Sequence, residues 1–211
     1  MTLQDSTHFS TMKTLRVFPD NINQRYISEA VKAASEGELI AFPTDTFYAI
    51  GCDALNNNAI EALCRIKGID PRKEALSIVC NDISQASEYA RIDNNAFRIL
   101  KTHLPGPFTF ILPASTTLPK VFKGRKEVGI RIPADNVARA IALELGHPVL
   151  STTAMADEEP IADAGTAELS LESVVSVLLE SGECPGSPST VVSLIDSSNP
   201  EILRQGAGIL S

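Results

Sequence analysis

Apolar residues recur along this chain in two rhythms: short continuous runs, and longer stretches in which they return every three or four positions. The first rhythm predicts buried strands and the second amphipathic helices. Residues 1–12 follow neither and read as a flexible tail. Leu15 to Phe18 predicts a strand. Asn21 or Asn23 is placed to cap a helix carrying Ile22, Tyr26, Ala30, Val31 and Ala33, with Gly37 as its stop. Leu39 to Phe42 is the next strand, and Pro43 ends it because proline has no N–H to give to a sheet ladder. Strand, helix and strand form a crossover unit feeding the loop that begins at Pro43.

The alternation continues to the C-terminus. Asn57 or Asn58 can cap a helix bearing Ile60, Leu63, Cys64 and Lys67, which ends near Gly68. Leu76 to Val79 is a buried strand leading to Cys80. Helices follow at Ser84 to Ala90 and at Asn94 to Leu104, the second with Phe97, Leu100 and Leu104 on one face. Pro105, Gly106 and Pro107 break the chain before the strand Phe108 to Leu112. Val128 to Ile132 is a strand stopped by Pro133, and Asn136 caps a helix with Val137, Ala140, Ile141 and Leu145, closed by Gly146. Val149 and Leu150 lead into Ser151, Thr152 and Thr153. An acidic, breaker-rich segment from Asp157 to Gly165 predicts an exposed loop or lid. A helix over Ala167 to Glu172 and strands over Val174 to Leu179 and Val191 to Ile195 complete the pattern. Strands and helices interleave with no internal repeat, so residues 13–211 are expected to form a single mixed α/β domain.

Composition narrows the class. At 211 residues with 44% hydrophobic content the chain can bury a sizeable core. It has no apolar run long enough for a membrane span, and its N-terminus has no basic segment leading into an apolar one, so a soluble, cytoplasmic protein without a membrane partner is expected. Cys52, Cys64, Cys80 and Cys184 show neither CxxC spacing nor a His at ligand spacing, and read as reduced, buried small hydrophobes; no resident metal site is expected. The formal net charge of -8 repels nucleic-acid phosphate. RNA contact would need a local basic patch, for which Lys120, Lys123, Arg125 and Lys126 are the candidate; the same run also reads as a solvated loop.

The candidate chemistry lies at strand ends. Beyond Pro43 the chain offers Thr44, Asp45, Thr46 and Tyr48, ordinary turn residues that can also meet a ligand. Arg131 stands alone in an apolar run, so its charge must reach solvent, a carboxylate or a ligand anion. Ser151 to Thr153 is a second hydroxyl-rich strand end, and Thr109 follows a rigid turn. Lys67 is a helix C-terminal cation that complements the dipole. The three histidines, His8, His103 and His147, suggest no Ser-His-Asp set, and no Walker motif is present. These residues by themselves imply a site for a small anionic ligand.

Their strings also resemble a known family. PTDTFYAIG from Pro43 to Gly51 is similar to the PTDTxYGLG hallmark of the YrdC-like L-threonylcarbamoyladenylate synthases, with Ala49 and Ile50 replacing Gly and Leu. PGPFT, VGIRIP, STTAM, PSTVV and ILRQG follow in the family's order, so the resemblance runs from about Leu39 to Gly206. It implies a single-domain YrdC-like fold, a twisted mixed sheet flanked by helices. It also implies the joining of L-threonine, bicarbonate or carbon dioxide, and ATP into threonylcarbamoyl-AMP for transfer RNA modification, with Mg2+ accompanying the nucleotide. Carried over residue by residue, it assigns Thr46, Tyr48, Cys80, Arg131, Ser151 and Ser189 to the amino-acid substrate and Lys67, Thr109, Thr153 and Arg204 to ATP, with Lys67 and Arg131 as the catalytic cations. Three positions depart from the family: Ile69 stands where an Arg is expected, Cys80 for His, and Met155 for Asn; Arg72 and Lys73 are nearby candidates to replace the missing Arg. These departures resemble the YciO-type branch. Two rival readings follow from them, a non-catalytic protein of the same fold that binds double-stranded RNA, and an enzyme acting on a related small acid.

Overall fold

Every helix begins where an Asn or Asp side chain accepts a backbone N–H that the helix cannot satisfy itself. In the computed structural model, which describes residues 12–70, 76–118 and 126–211, these caps are Asn23, Asn56, Asp82, Asp93, Asp135 and Asp163. They open α1 (Gln24–Ser35), α2 (Asn57–Lys67), α3 (Ile83–Tyr89), α4 (Asn94–His103), α5 (Asn136–Leu145) and α6 (Ala164–Leu171). Two expected caps move by one position. Asn57 and Asn136 lie inside the first turn, while Asn56 and Asp135 have the extended backbone a cap requires. Of the tail expected over residues 1–12, residues 1–11 lie outside the described residues, as do Arg72, Lys73, Lys120, Lys123 and Arg125, while Met12 packs against the core.

The strands are β1 (Lys13–Arg16), β2 (Ile40–Phe42), β3 (Ala49–Asp53), β4 (Ser77–Val79), β5 (Phe108–Pro113), β6 (Glu127–Arg131), β7 (Val149–Thr153), β8 (Met155–Ala156), β9 (Glu159–Pro160), β10 (Val177–Glu180), β11 (Thr190–Ser193) and β12 (Glu201–Arg204). Ten of them form one mixed sheet in the order β1-β10-β2-β3-β7-β4-β6-β5-β11-β12. β3 was not expected as a strand. It pairs antiparallel with β2, Phe42 opposite Ala49, so the loop from Pro43 to Tyr48 closes a hairpin. The expected lid at Asp157 to Gly165 is a second small hairpin, β8 with β9, turned by Asp157 and Glu158 at φ 48° and 68°.

Both faces of the central strands are apolar, as expected for strands covered on two sides. Successive residues divide between two cores: Ile40, Phe42, Ala49, Val79, Val149 and Val177 pack with α1 and α5, whereas Ala41, Ile50, Ile78, Phe110, Ile130 and Leu150 pack with α2, α3, α4 and α6. The α1 and α5 core takes no residue from β5, β6, β11 or β12. Among the described residues no helix covers that part of the sheet face. On α4 the expected face is only partly buried: Leu100 is inaccessible, but Phe97 remains 45% exposed. Among the described residues no helix is long and apolar enough to cross a membrane. All four cysteines are buried and unbridged.

Burial leaves a titratable signature. The Tyr48 phenol is pushed from 10.0 up to about 12, chiefly by loss of water around it. The Cys52 and Cys80 thiols are pushed up for the same reason. For each, the folded chain holds the proton at pH values where the unfolded chain loses it, so stability is intact below the unfolded value and falls as pH rises. Thermal midpoints measured across the alkaline range should therefore drop for the native chain between pH 10.0 and about 12 more steeply than for Tyr48→Phe, which keeps the contributions of the thiols and of Tyr89, also raised by burial.

Candidate active site

The uncovered half of the sheet carries a cleft of about 280 Å³. Its composition follows from strand alternation. On β5, Phe108 and Phe110 belong to the core with α2 and α4, so Thr109 and Ile111 face the other way. By the same parity Ser77 on β4, Arg131 on β6, Ser151 on β7 and Val191 on β11 turn to the cleft, and Arg204 on β12 closes one side. A small residue beside Ser77 keeps its floor low: a Cβ at Gly129 would stand 2.5 Å from the Ser77 hydroxyl oxygen.

Arg131 is held from behind. It is 9% exposed, and its Nη2 donates to Asp45 Oδ1 at 3.2 Å and to Thr46 Oγ1 at 3.0 Å. The second Asp45 oxygen accepts the Ala134 N–H at 2.8 Å, so one carboxylate ties the loop after β2 to the chain beyond β6. The hydroxyl directions can be assigned. Thr44 donates to the Phe47 carbonyl at 2.7 Å, which makes Thr46 the donor in the 2.8 Å contact between the two threonines. Arg131, Thr46, Thr44 and the Phe47 carbonyl thus form one chain of donors running away from the cleft. Burial pulls the Arg131 guanidinium down from its ordinary value, Asp45 opposes that, and Arg204 adds to it. Arg131 Nε is buried without a hydrogen-bond partner.

The second cation is more open. Arg204 lies on an exposed strand and donates from Nη2 to the Ser189 carbonyl at 2.9 Å and to the Ser189 hydroxyl at 3.2 Å. Ser189 Oγ and Thr109 Oγ1 are 2.9 Å apart. Arg204, Ser189 and Thr109 therefore form one polar cluster, with Ser151 and Thr153 elsewhere in the lining. Among the described residues the lining contains no carboxylate, and no group of three or more His, Cys, Asp or Glu could hold a metal ion. Two guanidiniums and a set of hydroxyls on an otherwise apolar sheet face can bind anions and offer no side-chain nucleophile with an adjacent base.

Residues 32–206 match the Sua5/YciO/YrdC family, which bears the description "Telomere recombination". The chain belongs to that family. It is 36% identical to the Escherichia coli protein YciO over 91% of this chain and 94% of that one. The crystal structure of E. coli YciO superposes with a TM-score of 0.87, at 34% identity over 95% of this chain and 98% of that chain. A threonylcarbamoyl-AMP synthase of Idiomarina loihiensis is 30% identical over 85% of this chain and 97% of the relative. The structure of P. abyssi Sua5 complexed with L-threonine superposes with a TM-score of 0.81, at 27% identity over 92% of this chain and 57% of that chain. The family member described here is of the YciO type.

Of the residues singled out in the sequence, Thr109, Arg131, Ser151, Thr153, Ser189 and Arg204 are brought together in the cleft. Thr46, Tyr48, Cys80 and Lys67 are not among its lining residues. Thr46 is 4% exposed and committed to Arg131. Tyr48 is fully buried, its hydroxyl donating to the Gly182 carbonyl at 2.9 Å and accepting the Ser181 N–H at 3.1 Å, so it anchors the turn after β10. Cys80 is fully buried in the core, and its raised pKa keeps the thiol neutral. Lys67 ends α2, and it is Ile69, two residues on, that reaches the cleft wall. Sequence reasoning did not single out Ser77, Ile111 or Val191; strand alternation between aromatic or aliphatic neighbours was the signal that would have found them.

A buried ion pair is costly to break and nearly neutral to replace. Asp45→Asn should therefore lower unfolding free energy by about 3–5 kcal/mol, and Asp45→Asn combined with Arg131→Met should recover most of that loss. Urea denaturation of the two single variants and the double variant measures both terms; equal stability of Asp45→Asn and the native chain would mean that Arg131 is not compensated by this carboxylate.

Proposed function

We propose that this chain forms an acyl-adenylate of the threonylcarbamoyl-AMP type from an amino acid, bicarbonate or carbon dioxide, and ATP. The observation that carries the reading is the pair of guanidiniums, Arg131 and Arg204, facing one hydroxyl-lined cleft. A site for this reaction must hold an amino-acid carboxylate and a triphosphate close together, and it needs separate cations to do so. Arg131, fixed by Asp45 and Thr46, suits the planar carboxylate of L-threonine, the ligand named for P. abyssi Sua5. Arg204, with Ser189 and Thr109, suits the phosphates, and Ser151 and Thr153 the groups between them. Lys67, which ends α2 two residues before Ile69 and outside the lining, is the further cation this reading calls on.

The chemistry balances without a protein nucleophile. The amino group of threonine adds to carbon dioxide and loses a proton to solvent, giving a carbamate. A carbamate oxygen attacks the α-phosphorus of ATP, the bond from that phosphorus to the bridging oxygen breaks, and pyrophosphate leaves with the electron pair. The protein's part is to align carbamate and phosphate and to balance their negative charge. Magnesium enters as part of the MgATP substrate, held mainly by the phosphates. The product suits transfer of the threonylcarbamoyl group to tRNA.

Pyrophosphate release in the presence of MgATP and bicarbonate, with and without L-threonine, tests this. Release should depend on threonine, and Arg204→Ala and Lys67→Ala should each lower kcat/KM by roughly tenfold or more. Release driven by another small acid but not by threonine would move the reading to the related-acid enzyme. No release and no nucleotide binding by calorimetry would remove it.

A further inference from the structure

Helices α3, α4 and α5 converge beyond the carboxyl ends of the parallel strands β4 and β6 and leave a second cavity there, of about 360 Å³. Its lining shares no residue with the cleft. Ile83, Phe97, Leu104 and Ile132 give it apolar walls, and Lys101 and Arg139 bring cations to it. The volume is that of a small-ligand site, and carboxyl ends of adjacent parallel strands are where open α/β sheets take ligands.

The charges in this cavity are unbalanced. Its one carboxylate, Asp82, is already committed: Oδ1 accepts the Gln85 N–H at 2.8 Å as the cap of α3, and Oδ2 accepts from Asn81 at 3.3 Å. Among the described residues neither Lys101 nor Arg139 lies within ion-pair distance of a carboxylate; the Asp135 carboxylate acts on Arg139 only from farther off. Arg139 donates from Nη2 to Asn136, and its Nε is buried with no partner. The apolar side is equally incomplete. Phe97 follows the same helical stripe as Leu100 and Leu104, yet it is 45% exposed, and it also borders an adjoining hollow of about 430 Å³ with Ile83 and Ser84.

We propose that this cavity binds a small amphipathic carboxylate, a short alkyl or aryl acid, with its carboxylate at Arg139 and Lys101 and its apolar body along Phe97 and Ile83. The anion would give the two cations the partner they lack, and the tail would remove Phe97 from water. A nucleotide suits the cavity less well, since apolar walls leave the polar edges of a base and ribose unpaired. The inference is independent of the reaction proposed for the cleft.

Amide-resolved NMR titration of the full chain with hexanoate, hexan-1-ol and acetate tests it. Hexanoate should shift amides in residues 81–84, 97–104, 132 and 139 saturably. The alcohol keeps the tail without the charge and acetate the charge without the tail, so each should bind at least about tenfold more weakly. Arg139→Gln and Lys101→Gln should each weaken hexanoate binding by about tenfold with the thermal midpoint unchanged; if Arg139→Gln melts early, Lys101→Gln decides. Equal binding of hexanoate and hexan-1-ol would overturn the assignment. So would shifts confined to cleft residues such as Thr153 and Arg204, or no saturable shift at millimolar hexanoate.

Discussion

A guanidinium placed inside an apolar sheet must be compensated or expelled, and the compensation of Arg131 organises the structure around it. Asp45 meets it across a hairpin loop at 3.2 Å and also takes the Ala134 N–H. Thr46 and Thr44 extend the support in one fixed donor direction. The loop after β2, the end of β6 and the approach to α5 are thereby held as one unit. Such a pair adds little net stability, because desolvation consumes most of its attraction. What it supplies is position: Asp45 and Thr46 hold one guanidinium nitrogen of Arg131 from two sides.

The cleft in front of Arg131 exists because helices cover unequal parts of the sheet. Among the described residues one face is covered by α2, α3, α4 and α6 from β10 to β11, and the other by α1 and α5 only as far as β4. Where the cover stops, the strands keep their alternation but change its content. Phe108 and Phe110 stay in the core while Thr109 between them is polar, and Leu150 stays in the core while Ser151 beside it is polar. Gly129 and Ser77 lie opposite one another in adjacent strands, and the close approach between them leaves no room for a side chain at Gly129. A binding face therefore arises from single-residue choices on strands whose other face is ordinary core.

The parts of this arrangement readable in the sequence were those that local physics dictates. Apolar runs located β2, β5 and β6, breakers located their ends, and an isolated Arg in VGIRIP marked the one charge that had to be explained. Non-local pairings were not readable. β3 looked like the tail of a polar loop because its strand character comes from pairing with β2 on one side and β7 on the other. Tyr48 looked like a ligand contact because nothing nearby in sequence reveals that Ser181 and Gly182 complete its hydrogen bonds. The bond from Arg131 to Thr46 was likewise invisible, since the two residues are eighty-five positions apart. Cap positions slipped by one because adjacent Asn and Asp residues share the required side chain and differ only in backbone conformation.

The charge distribution gives the cleft a further property. The chain as a whole carries -8, so its average field repels the anions proposed as ligands of the cleft. Affinity must then come from short range, where Arg131 sits in a low-dielectric wall and Arg204 adds a second positive charge close enough to depress it. Two like charges kept at one cleft store repulsion that an arriving anion relieves, and the relief is greatest for a ligand that reaches both. The rigid anchoring of Arg131 prevents the simpler escape, in which the arginine swings away from its neighbour. Arg204, on an exposed edge strand and bonded mainly to a backbone carbonyl, is the partner free to adjust. A fixed cation facing an adjustable one suits a reaction in which a small acid is held still while phosphates rearrange beside it.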